Sequence, residues 1–248
     1  MKPFRFSRAL KITAVSGIAL GTAFTAVVGF AHTEPGRPLL ALMGRAMGRQ
    51  ASANAGGKCP FGYDVKASPV QKEAARRQFA ASHAGADRAQ GRPALGFVLD
   101  KTTRADVTSW ARAHDIKCVV PKTGSDLDCS DIPAEALPDH ETGIGLHSLW
   151  FTFGTGDTLT SAIGVRRDAS VEMISSTFKR VTDDVSREAG APAKTEGDPS
   201  PATLSSGALY QASAEYRFRN YFALARATNM GRVQGFVITE EYRSLPDS

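Results

Sequence analysis

Two stretches of the chain carry residues at helical spacing and are predicted to form amphipathic helices. The first follows Thr103, a favourable N-cap that places Asp106 in the first helical turn. The positions spaced along one side of this helix are Val107, Trp110, Ala111 and His114. The second helix begins near Ser170 and is stopped by Gly190 and Pro192. Its apolar positions, three or four residues apart, are Val171, Ile174, Phe178, Val181 and Val185.

Short apolar or alternating runs bounded by turn residues predict the strands. The predicted strands are 116–120, 127–131, 146–153, 159–166, 209–218, 221–228 and 233–242. Phe151 and Phe153 are expected on one face of their strand, with Ile163 and Val165 as neighbours across the pair. The order of helix, strands, helix, strands predicts an α+β fold. We expect a two-layer sandwich in which two helices pack on one mainly antiparallel sheet.

The N-terminal part of the chain has the layout of a signal peptide or a transmembrane anchor. Residues 12–31 carry no charge, and the bases Lys2, Arg5, Arg8 and Lys11 precede them. Small residues before His32 would permit cleavage, whereas the length of the run also suits a membrane-spanning helix. Either outcome predicts that the remaining chain lies on the periplasmic or extracellular side, anchored to the inner membrane or secreted.

The segments between this run and the predicted sheet are less regular. Residues 32–67 are rich in Gly, Ala, Arg and Ser and are predicted to be a flexible linker. A helix is expected to begin at Ser68, where Pro69 fits the first helical position and Gln71 completes a capping box. With its following linker this lightly packed helix occupies 68–93. The α+β domain, two tandem units of a helix and a meander, is expected to span 94–248.

The basic balance of the chain comes mainly from its N-terminus. The formal net charge is +5, from 30 Lys and Arg and 25 Asp and Glu. Four of the bases precede the apolar run, so the rest of the chain is close to neutral. A near-neutral domain lacks the positive surface that phosphate backbones require. Nucleic-acid binding is therefore not expected.

Cys118 and Cys129 are predicted to form a disulfide bond. They lie symmetrically about the turn at 123–124, which places them opposite each other on a hairpin. An exported domain is in an oxidising compartment, where such a pair is bonded. Cys59 is then left over, and it has three interpretations: an unused thiol, an intermolecular disulfide, or a thiolate ligand to haem iron through its Cys-Pro pair.

A few other residues are candidates for a site. Asp139, His140, Glu141 and His147 are the one cluster of metal-ligand types, although a solvated acidic loop explains them better. The C-terminal strands alternate aromatic residues with arginine, which indicates either an aromatic core with solvated arginines or a binding surface. The residues of this predicted surface are Tyr216, Arg217, Arg219, Tyr221 and Arg226.

No nucleophile elbow or glycine-rich phosphate loop occurs in the sequence. We therefore expect no resident cofactor and a non-enzymatic role in protein interaction or envelope structure, with another envelope protein as partner. The membrane is a further partner if residues 12–31 are retained. The alternative is a metal- or haem-binding protein or enzyme that uses Cys59 or the loop 139–147.

The segment Thr102–Val107, which opens a short helix after Gly96, resembles a module of small bacterial envelope proteins of the BamE or SmpA/OmlA kind and of β-lactamase-inhibitor-like domains. The ending Gly190-Ala191-Pro192 of the second helix is similar to the Gly-x-Pro that closes the helix in those modules. The resemblance implies a protein-binding scaffold built from a helix and an antiparallel sheet. The lipid-attachment cysteine of the BamE-like lipoproteins is missing here, and the first helix lacks the Gly-x-Pro ending.

Overall fold

The computed structural model describes residues 68–121, 126–137 and 143–246. The predicted signal or anchor, 12–31, and the predicted linker, 32–67, lie outside these residues. In the described part of the chain, no helix is both long and apolar enough to span a membrane. The helices are α1 Pro69–His83, α2 Arg104–Ala113, α3 Val171–Ala189 and α4 Pro201–Leu204. The strands are β1 Pro93–Ala94, β2 Phe97–Val98, β3 Lys117–Val119, β4 Leu127–Ile132, β5 Leu146–Phe153, β6 Leu159–Asp168, β7 Lys194–Glu196, β8 Gln211–Arg217, β9 Tyr221–Asn229 and β10 Phe236–Ser244.

Eight of the strands form one antiparallel sheet, so the predicted α+β class with a large antiparallel sheet is confirmed. The strand order is β3-β4-β5-β6-β10-β9-β8-β7, and β1 pairs only with β2 in a separate small hairpin. Each half of the sheet is a meander of consecutive strands, and the last strands of the two meanders, β6 and β10, pair with each other. This junction places Arg166 opposite Ile238 and Gly164 opposite Glu240 in the middle of the sheet.

The helix starts follow from their capping residues. Ser68 and Gln71 form a reciprocal capping box at the start of α1, and Thr103 and Asp106 form one at the start of α2. The hydroxyl of Ser170 accepts a hydrogen bond from the Met173 backbone at the start of α3. Capping satisfies backbone N–H groups that a helix leaves without partners at its N-terminus. The three starts lie where the sequence predicts them.

One face of the sheet is the main core and carries both α2 and α3. A continuous row of paired residues crosses six strands on this face: Leu127, Phe151, Ala162, Tyr242, Ala223 and Tyr216. All six are buried in one apolar cluster with the inner sides of the two helices. The apolar positions of α3 from Ile174 to Ala189 are buried there, which explains their spacing of three and four residues.

The other face of the sheet is partly covered by α1. The fold therefore has a partial third layer in addition to the two layers that the sequence predicts. Phe79 packs edge to face on Phe222 with ring centroids 5.1 Å apart, and the guanidinium of Arg243 lies 4.5 Å from the Phe79 centroid. Arg76 pairs with Asp100 at 3.0 Å between Nη2 and Oδ1. The sequence of α1 offers one large apolar anchor, Phe79, and polar contacts of Lys72 with Asp126 and of Arg76 with Asp100 and Ser244 complete the attachment of the helix.

The predicted pairing of Phe151 and Phe153 with Ile163 and Val165 is wrong by one residue. Phe151 lies opposite Ala162, and Ile163 lies opposite Trp150 on the other face. The register shifts between Thr152 and Phe153, because Phe153 pairs with Leu159 while Thr152 pairs with Ser161. An extra residue in one strand inverts which side chains share a face beyond that point.

Candidate functional site

A charged pair is buried at the centre of the fold, on the core face where β6 meets β10. Arg166 and Glu240 both have exposures of 0%. The Nε of Arg166 donates to Oε1 of Glu240 at 2.5 Å, and its Nη1 donates to the carbonyl oxygen of Ile144. Burying two charges is favourable only when their hydrogen-bonding groups are satisfied. The sheet therefore has a polar centre inside an apolar core.

Tyr242 connects this buried pair to a cleft at the surface. Its hydroxyl donates to Oε2 of Glu240 at 2.6 Å, so both carboxylate oxygens of Glu240 are occupied. Tyr242 itself is 4% exposed and lines a cleft of about 670 Å³ between α3 and the β1–β2 hairpin. That volume lies in the range of natural ligand sites, roughly 300–1,000 Å³.

The hairpin wall of the cleft is held in place from below. Leu95 and Gly96 form its turn with φ angles of 58° and 83°, a left-handed pair that lets two very short strands reverse. The hydroxyl of the buried Tyr221 donates to the carbonyl oxygen of Pro93 at 2.6 Å. Arg92, just before the hairpin, pairs with Asp100 at 2.5 Å between Nη1 and Oδ2. These contacts fix the hairpin to the sheet and leave its other side to form the cleft.

The Tyr221 hydroxyl that supports the hairpin has a shifted pKa. Burial raises the pKa of the Tyr221 phenol well above its ordinary value of 10, with nearby Glu188 as the next cause. The neutral phenol is therefore retained at any ordinary pH, and it keeps donating to the Pro93 carbonyl.

The cleft is lined by apolar side chains and by charged groups of both signs. Its apolar lining comes from Leu95, Phe97, Val98, Val181, Val185 and Tyr242. The charged lining comes from Arg92, Arg180, Asp183, Asp184, Arg187 and Glu188, which is three positive and three negative groups. Serine, cysteine, histidine and lysine do not occur in the lining. This arrangement offers apolar surface and ionic groups of both signs to a bound molecule.

The predicted disulfide is present. Cys118 and Cys129 are bonded, and their Cα atoms lie 4.0 Å apart. They are directly opposed in the β3–β4 register, as the symmetric spacing about the turn predicts. The bond ties the edge strand β3 to the sheet, and Cys129 is fully buried in the main core.

Of the residues predicted as metal ligands, the structure describes only His147. Asp139, His140 and Glu141 lie outside the described residues, as does Cys59. His147 is described: its side chain is 55% exposed and its Nδ1 is 3.7 Å from Oδ1 of Asp131. Within the residues that the structure describes, no three His, Cys, Asp or Glu side chains are grouped so that they could hold a metal ion.

The predicted C-terminal surface divides into buried tyrosines and exposed arginines. Tyr216 and Tyr221 have exposures of 0%, so the prediction that they belong to an interaction surface is wrong. The Tyr216 hydroxyl donates to the Thr182 carbonyl of α3 at 2.8 Å, which makes this residue part of the helix–sheet contact. The exposed members are Arg217, Arg219 and Arg226. Arg217 and Arg226 lie on the outer face of the sheet, away from the core row.

The sequence reasoning missed the cleft and the buried pair. The sequence contained a signal for the pair, because side chains alternate between the two faces of a strand. Arg166 therefore shares a face with the buried Ala162, and Glu240 shares a face with the buried Ile238. The cleft left no such signal, since it depends on where the β1–β2 hairpin stands relative to α3.

In comparisons with protein-family models, curated proteins and solved structures, nothing matches this chain.

Proposed function

We propose that this chain is an exported, non-enzymatic binding domain that holds a segment of another envelope protein in the cleft between α3 and the β1–β2 hairpin. The domain would lie on the periplasmic or extracellular side, tethered by residues 12–31 or released from them. The observation that carries the proposal is the cleft itself: about 670 Å³, lined by apolar side chains and by charged groups of both signs, and backed by the buried hydrogen bonds of Tyr242 and Arg166 to Glu240.

The dimensions of the cleft favour an extended peptide. The α3 wall runs from Arg180 to Glu188, which is about 12 Å along a helix axis. An extended chain covers that distance with about four residues. A peptide of this length can insert one apolar side chain toward Tyr242 while its neighbours remain at the rim. Interfaces commonly combine such a buried anchor with a polar rim.

The rim charges suit a partner segment that carries both signs. Asp183 pairs with Lys179 at 2.6 Å, and Arg187 pairs with Asp184, so these α3 side chains are arranged as exposed ion pairs. Exposed pairs contribute little to stability and can exchange partners. A bound segment with complementary charges would gain orientation and specificity from them.

The resemblance to BamE or SmpA/OmlA proteins and to β-lactamase-inhibitor-like domains supports the same class of function and stays a prediction. It rests on the cap at Thr103 and the ending Gly190-Ala191-Pro192. In those families the helix-and-sheet module binds proteins, which agrees with a cleft lined by α3. The partner in the present case is inferred from the cleft chemistry.

Photo-cross-linking tests the proposal in the native envelope. A benzophenone amino acid replaces Val98, which is 46% exposed and lines the cleft, or Val120, which is 70% exposed next to β3 and serves as the control. We expect one discrete protein adduct from position 98 and none of that mass from position 120. Adducts of the same mass and yield from both positions, or none from position 98, would contradict the proposal.

A further inference from the structure

Two neighbouring loops at one end of the sheet form an exposed apolar tip, which we define as Leu209, Met230 and Val233. Their exposures are 68%, 37% and 99%. The Leu209 backbone donates to Asn229 at 2.7 Å, so the first loop pairs with the strand that leads into the second. A side chain added at Gly231 would reach Ala208 at 4.0 Å, which shows that the loops lie side by side.

The tip is a built feature of the fold. Residues 231–235 form a closed turn in which the Gly235 N–H donates to the Gly231 carbonyl at 2.9 Å. The buried side chain of Asn229 links both loops, because its Nδ2 donates to Leu204 and its Oδ1 accepts from Gly231. Leu209 has a φ of 66°, an unfavourable conformation for a residue with a side chain. The fold therefore holds this leucine outward in a strained position.

The charge pattern around the tip selects the kind of surface it fits. Along the chain, residues 199–214 carry no charge and residues 227–239 carry only Arg232. The carboxylates that approach these loops, Asp168 beside Phe236 and Asp198 beside Tyr210, accept hydrogen bonds from the backbone of Ser170 and Ser200. A protein interface surrounds its apolar core with a polar, solvent-accessible rim. A lipid surface instead disfavours carboxylates and attracts arginine to its anionic headgroups, while apolar side chains enter the acyl boundary.

We propose that the apolar tip inserts shallowly into a lipid bilayer, with Arg232 at the level of anionic headgroups. The uncharged run at 12–31 is a second, independent pointer to a membrane beside this domain. The linker that the sequence predicts over 32–67 would have a typical reach of about 35 Å, enough for a tethered domain to lie on the membrane surface. This inference does not depend on the cleft.

The test uses the full chain with Cys59→Ser, so that an introduced cysteine is the one free thiol beside the Cys118–Cys129 bond. Val233→Cys is labelled with an environment-sensitive fluorophore, and Val120→Cys, at a position 70% exposed against 99% for Val233, provides an exposed control away from the tip. Both proteins are reconstituted in phosphatidylcholine vesicles with and without phosphatidylglycerol, and quenching by nitroxide-labelled lipids is measured.

We expect quenching at position 233 to be at least about twofold stronger than at position 120, stronger with phosphatidylglycerol, and reduced by Arg232→Glu. Equal quenching at the two positions would overturn the proposal. A blue-shifted emission at 233 without nitroxide quenching would place the tip against protein, either a second copy or a partner, and would overturn it as well.

Discussion

Replacing Glu240 by glutamine is expected to lower the free energy of unfolding by about 3–5 kcal/mol, because it leaves the Arg166 guanidinium buried without a counter-charge. Both side chains are completely buried, so water cannot replace the lost carboxylate. The same change weakens the acceptor for the Tyr242 hydroxyl at the floor of the cleft. Urea unfolding of the full chain under oxidising conditions measures the effect.

Two control variants test whether the loss of stability comes from the unpaired buried charge. Removing both charges with Arg166→Met and Glu240→Leu should restore much of the stability, since apolar residues of similar volume often replace a buried pair at little cost. Asp183→Asn breaks an exposed pair and should change stability by less than about 1 kcal/mol. A Glu240→Gln protein as stable as the Asp183→Asn protein would show that the pair is not held in a dry core.

Replacing Cys118 and Cys129 together by alanine is expected to lower the free energy of unfolding by about 2–3 kcal/mol, because the bond closes a short loop in the unfolded chain. Digestion without reductant should recover one peptide pair that links these two cysteines. Cys59→Ala is the matched control, and it should leave both the stability and the linked peptide unchanged. A peptide that joins Cys59 to Cys118 or Cys129 would refute the hairpin pairing.

Local signals in the sequence were sufficient wherever one residue decides the structure. Ser68, Thr103 and Ser170 fix the starts of three helices through hydrogen bonds within the first turn. The disulfide was predictable because hairpin pairing is symmetric about its turn, whatever the rest of the sheet does.

The features that the sequence did not predict depend on contacts between distant parts of the chain. The extra residue near Thr160 inverts the face of Ile163, and the hydrophobic pattern alone gives no sign of this shift. Tyr216 and Tyr221 are typical interface residues by type, yet both point into the core, where Tyr216 bonds α3 and Tyr221 bonds the β1–β2 hairpin. The cleft exists because the β1–β2 hairpin is held over the sheet by Tyr221 of β9 and packs beside Gly164 of β6, a non-local arrangement.

Because Tyr216 and Tyr221 are buried, they cannot contact a partner, and the cleft and the outer face of the sheet are compared as sites for a protein partner. The outer face of the sheet retains exposed arginines, among them Arg226, whereas the cleft combines an aromatic floor with charges of both signs. A protein anchor needs a pocket in which it is desolvated, and the cleft has the 4% exposed Tyr242 among its lining residues. We therefore propose the cleft as the binding site of the partner and treat the outer face as the competing location.

The most direct measurement compares the affinity of the full chain for the protein captured at Val98 between two charge reversals. Arg180→Glu alters the cleft rim, and Arg226→Glu makes the same change at an exposed arginine on the outer sheet face. Binding in the cleft predicts that Arg180→Glu weakens affinity roughly tenfold, about 1.4 kcal/mol, while Arg226→Glu leaves it nearly unchanged. Weakening by Arg226→Glu with no effect of Arg180→Glu would contradict the cleft and assign the partner to the outer face.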